Sequence, residues 1–139
     1  MATSISLNKM TFKNTLLLLG LLATSQSQAE HSQAVFSQNG TYQILIEDDF
    51  GAIEIGKFHE LEIHLYGSDG RPLEAAKIAI DGGMLAHGHG LPTRPNILEI
   101  GSGRYLVRGL KLSMRGAWQL FFDVTVDGIT EQILVELSI

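Results

Sequence analysis

The sequence predicts an all-β fold, an immunoglobulin-like antiparallel sandwich of about seven strands. Three observations carry that expectation. Apolar residues recur at every second position in short runs. Glycine, asparagine and aspartate punctuate the runs, and no stretch shows capped helical periodicity. A small barrel is the competing architecture, and strand order is left open.

The elements follow in order. Tyr42, Ile44 and Ile46 alternate with polar neighbours, as do Leu61, Ile63 and Leu65. Ala76, Ile78 and Ile80 form a third run, and Tyr105 and Val107 a fourth. The longest apolar face is Trp118, Leu120, Phe122, Val124 and Val126, and the last is Ile133, Val135 and Leu137. Side chains two apart on a strand share a face, so each run predicts a half-buried strand on a common core. Asp127-Gly128 between the last two runs predicts a two-residue hairpin. Ser68-Asp69-Gly70 and Gly101-Ser102-Gly103 predict further turns, whereas Asn39-Gly40 reads as part of a loose N-terminal extension.

Residues 1–29 read as a signal peptide. Lys9 and Lys13 supply a positive start, Leu16 to Ala23 a short apolar run, and Ser27-Gln28-Ala29 a small-residue cleavage site. The apolar run is far shorter than the ~20 residues that span a bilayer. Cleavage there leaves residues 30–40 as a loose N-terminal extension and 41–139 as a single domain. The expected product is periplasmic or secreted, with no membrane span after cleavage. With no cysteine in the chain, there is no disulfide framework and no lipid-anchoring thiol. The net charge is −5, and more negative once two lysines leave with the leader. A nucleic-acid partner needs a basic footprint, which is missing.

The chemistry concentrates in Met84-Leu85-Ala86-His87-Gly88-His89-Gly90-Leu91-Pro92. Imidazole ligates copper, zinc, iron and nickel, and a thioether selects soft ions such as Cu(I). Residues 82–95, rich in glycine and holding Pro92 and Pro95, are expected to form a loop rather than a strand interior. In extended backbone His87 and His89 would point the same way, and Gly88 and Gly90 would let the chain close around an ion. Met84 is near enough in sequence to fold back on the same ion. Met114 is either a second soft ligand or the continuation of an apolar face with Leu110 and Leu112. A solvated glycine-rich turn without ligand is the competing reading of the histidine pair.

Other constellations carry less. His59 and His64 are five apart, where a zinc-protease helix needs four, and strand alternation sends them to opposite faces. His64, on the polar face with Glu60 and Glu62, reads as a surface histidine. His31 lies close to the expected mature N-terminus, where metal binding would be adventitious. Catalytic zinc would need a third nitrogen or oxygen ligand, from His64 or Asp81. No G-x-S-x-G elbow and no phosphate loop occur, so an enzyme is not expected.

The run His87-Gly88-His89-Gly90 with Pro92-Thr93 and Pro95, then Gly103-Arg104-Tyr105, Leu112-Ser113-Met114 and Gly116-Ala117-Trp118-Gln119-Leu120, resembles the YtkA-like/FixH-like group of exported domains. The resemblance spans residues 40–137 and implies an immunoglobulin-like sandwich that handles copper in the bacterial cell envelope. By position it implies metal-ligand roles for His87, His89, Met84 and Met114. The chain departs from the pattern at Leu85, Leu91 and Arg115, where the group tends to have proline, methionine and proline. Trp118 is expected beneath the loop.

The function expected is therefore an exported protein that delivers or buffers a metal ion. Copper is the expected ion and zinc the weaker alternative, with an envelope protein as acceptor. The other class of function is a metal-free interaction module of the envelope.

Overall fold

Alternation places one side chain of every two on a core, and the observed strands obey it. The computed structural model describes residues 33–47 and 53–139. Within them lie nine strands: β1 (Gln33–Phe36), β2 (Tyr42–Ile46), β3 (His59–Gly67), β4 (Lys77–Met84), β5 (His89–Gly90), β6 (Asn96–Gly101), β7 (Arg104–Leu110), β8 (Ala117–Val126) and β9 (Ile129–Ser138). The signal-peptide expectation for residues 1–29 lies outside the described residues.

The strands form two antiparallel sheets, in the orders β1-β2-β3-β7-β6 and β5-β4-β8-β9. The chain crosses between sheets at β3–β4, β5–β6 and β7–β8. Ile44, Ile46, Ile63, Leu65 and Val107 from the first sheet meet Trp118, Leu120, Phe122, Val124, Ile133 and Val135 from the second, all buried. Ala76, Ile78 and Ile80 are only partly covered, because β4 is flanked near its end by the two-residue β5. The Asp127-Gly128 hairpin forms as expected: φ of 50° and 81° suits a primed turn, whose twist matches that of the ten-residue β8–β9 ladder.

The sandwich has more strands than the seven expected, and the extra ones lack the alternation signal. In β6, Ile97 faces the core side while Leu98 and Ile100 are exposed, so apolar residues occupy both faces. β5 is too short to show a period. β1 falls in the segment expected as a loose extension, but its backbone pairs with β2 from Gln33↔Ile46 to Phe36↔Gln43. The turn after it is tied down as well. Ser37 Oγ, Thr41 Oγ1 and Asn39 Nδ2 all donate to the Glu131 carboxylate on β9. These bonds hold the Glu131 carboxyl below its ordinary pKa, the Ser37 bond most and Thr41 next.

Candidate metal centre

The glycines at 82 and 83 lie inside β4, not in a loop, and their bareness explains the site's shape. A Cβ on Gly82 would stand 2.2 Å from the Gln119 carbonyl oxygen, and one on Gly83 2.2 Å from that of His89. Neither contact is tolerable for a side chain. Two consecutive glycines thus let β8 and β5 close on β4 from either side.

Beyond Met84 the chain makes one 3₁₀ turn, Leu85–His87, and Gly88 ends it in the left-handed region at φ 65°. Gly88 N donates to Leu85 O, and Leu91 N returns to Gly82 O at 2.9 Å, closing a tight hairpin. Pro92 and Pro95 do lie in the irregular connection that follows, and Thr93 Oγ1 pins it to Gly109 O at 2.7 Å. His87 and His89 are therefore not neighbours on extended backbone. One ends a turn and the other begins a strand. Their rings are nonetheless close to parallel, 20° apart, with centroids separated by 6.4 Å and both side chains exposed. A nitrogen bound at about 2 Å puts its ring centroid roughly 3 Å from the ion. Imidazole lone pairs lie in the ring plane, so this stacked pair shares one ion only once the exposed rings turn their nitrogens toward it.

The methionines sit differently. Met84 is the cross-strand partner of His89, so the register brings thioether and imidazole residues opposite each other. Met84 is also only 1% exposed, with its methyl against Gly116. Met114 does not continue a strand, since β7 ends at Leu110. It lies in the connection to β8, partly buried against the core. Its carbonyl accepts the Trp118 indole N–H at 3.0 Å, which satisfies a donor on a fully buried ring. Trp118 borders an apolar cleft together with Leu85 and Ala86 of the loop. Met84 and His89 border a neighbouring cleft of about 270 Å³ with Asp81 and Phe121. Asp81 Oδ1 is turned back onto Gly82 N at 2.8 Å.

Among the described residues, the histidine pair gathers no third histidine, aspartate or glutamate. The one such cluster of three is elsewhere: Glu47, Glu62 and His64, on the outer face of the five-stranded sheet. The side chain of His64 is 17% exposed, more covered than a surface histidine was expected to be. Its ring packs 6.4 Å from that of Tyr66, whose hydroxyl is 3.4 Å from Nδ1. Alternation alone put Glu62 and His64 on one face, but the register of β2 on β3 is what adds Glu47. His59 bonds through Nε2 to Glu54 O at 2.9 Å and takes no part. His31 lies outside the described residues.

The chain matches no family model, no curated protein and no solved structure.

Proposed function

We propose that this chain is an exported metal-binding protein that delivers or buffers a copper ion in the cell envelope. The observation that carries the reading is the hairpin tip, where two exposed imidazoles stand near-parallel with centroids 6.4 Å apart. The leader-like residues 1–29 support export, and the resemblance to YtkA-like/FixH-like domains supports copper. His87 and His89 are the main ligands. Met84, paired in register with His89, is one soft ligand, and Met114, in the connection to β8, the other.

The chemistry favours cargo over catalysis. A catalytic zinc keeps three protein ligands and an open position. Here two exposed nitrogens with a buried thioether behind them suit an ion that must leave again. An exposed tip lets an envelope acceptor approach within ligand-exchange distance, and Leu85, 68% exposed beside the Trp118 cleft, offers it an apolar contact.

The test is a titration of the purified chain with Cu(I) and Cu(II) against a competing chelator, beside His87→Ala/His89→Ala. Stoichiometric copper in the wild type, lost in the double variant with its unfolding midpoint unchanged, is the expected result. Equal binding by both proteins, or none by either, defeats the copper reading. The exposed Leu85 patch then supports the metal-free interaction module instead.

A further inference from the structure

We infer that Glu47, Glu62 and His64 form a second cation site, separate from the histidine hairpin and suited to a borderline divalent ion such as Zn²⁺. The argument starts from charge. The register Leu45↔His64 and Ile46↔Ile63 sets Glu47 directly opposite Glu62, and Glu47 N reaches Glu62 O at 3.5 Å. Like charges facing each other across a strand pair destabilise the pair unless positive charge lies between them. His64 stands two residues beyond Glu62 on the same face and aims Nε2 at both carboxylates.

The distances then discriminate. Nε2 is 3.3 Å from a Glu62 oxygen and 3.4 Å from a Glu47 oxygen. A charge-assisted N–H···O bond closes to about 2.7–2.9 Å. Nε2 is buried and makes no hydrogen bond, although two carboxylates flank it. A buried polar atom without a partner is costly. An ion bonded at about 2.0–2.1 Å in tetrahedral geometry holds its ligand atoms about 3.3–3.4 Å apart, which is the spacing seen. All three ligand atoms lie within 4.8 Å of one another, and Glu47, 45% exposed, has room to close the remaining edge.

The surroundings fit a metal-bound imidazole. The Tyr66 hydroxyl lies 3.4 Å from Nδ1, and in the tautomer in which it accepts from Nδ1–H the lone pair sits on Nε2, the nitrogen facing the carboxylates. Arg104, 3.4 Å from Glu62, competes for the same charge. Its side chain is 46% exposed and free to swing outward. One nitrogen and two oxygens without sulfur suit zinc better than Cu(I). A fourth position is left to water or to a ligand from a partner.

The test uses the full chain carrying His87→Ala and His89→Ala, so that the hairpin is silent whether or not the copper reading holds. It is titrated with Zn²⁺ against a chromophoric chelator, beside the same chain with His64→Gln or Glu62→Gln added. One equivalent of Zn²⁺ in the parent, weakened by at least about tenfold in each further variant, is expected. Co²⁺ in place of Zn²⁺ should give the strong visible absorption of a tetrahedral ion, lost in both variants. Circular dichroism identifies any variant that fails to fold, and the Co²⁺ spectrum of the parent decides the matter without either. No Zn²⁺ uptake by the parent, or a weak octahedral Co²⁺ spectrum unaffected by the substitutions, overturns the site.

Discussion

His87 and His89 crown a hairpin at one end of the sandwich, whereas His64 lies in the middle of a strand on the opposite sheet. The hairpin pair is exposed, glycine-bounded and backed by a buried thioether. His64 is mostly covered, braced by Tyr66 and closed in by two carboxylates. Backbone shape made the first arrangement, through two glycines that admit β5 and a left-handed Gly88 that turns the chain. Register made the second, through one residue of β2 landing opposite one of β3. On the two proposals above, the difference is one of hardness: nitrogen and sulfur side chains at the tip, nitrogen and oxygen on the face.

The comparison is sharpened by substitutions that split stability from metal binding. Trp118→Ala empties the buried side of the cleft that Leu85 and Ala86 border and opens a core cavity, an expected loss of about 3–5 kcal/mol in chemical denaturation. Copper binding should fall with the fold, while Zn²⁺ uptake should persist at denaturant concentrations where the variant remains folded. If copper binding survives intact, the tip does not depend on the Trp118 platform.

Gly83→Ala puts a Cβ into the His89 carbonyl and should cost about 1–3 kcal/mol, chiefly by unseating β5. Amide exchange read by mass spectrometry should rise at residues 84–91 and stay unchanged in β3. Uniform loss of protection would mean that the hairpin and the distant strand face are one cooperative unit.

Acidification offers a gentler probe. The folded pKa of Glu131 is depressed, so the ionised carboxylate is the form the fold favours. Its stabilisation is complete above the unfolded-state carboxylate value and fades as pH falls through the depressed folded one. Glu131→Gln should flatten the stability profile in that acid window and loosen β1. A profile identical to wild type would show that the Ser37–Thr41 bonds do not hold β1. The smallest stability effect belongs to the hairpin histidines: His87→Ala/His89→Ala should stay within about 0.5 kcal/mol of wild type, since both rings are exposed.

Much of the sandwich was readable as written. Trp118 to Val124, Leu61 to Leu65 and Ile133 to Leu137 announce their buried faces because one face meets core and the other meets water. β6 gave no such notice. Its Leu98 and Ile100 are apolar yet exposed, and only the ladder to β7 makes it a strand. Residues 82–83 misled for a related reason: glycine marks turns, but it also marks a strand that two neighbours approach too closely for a Cβ. At the candidate sites, the His-Gly-His spacing pointed to the hairpin, although the expected extended backbone became a 3₁₀ turn. The Glu47–Glu62–His64 cluster was half legible, because Glu62 and His64 share parity but Glu47 lies on another strand.

Sequence alone determined what is local: the all-β class, the primed turn at Asp127-Gly128, the inward faces, and the side-chain types gathered at 84–89. Each depends on neighbours within a few residues, which alternation and turn chemistry encode directly. The tertiary structure decided the pairing of β2 with β3, the burial of Met84, and the admission of β5 beside Gly83. These depend on which strand lies next to which, a long-range choice made by packing the whole core at once, and no short window of residues contains it.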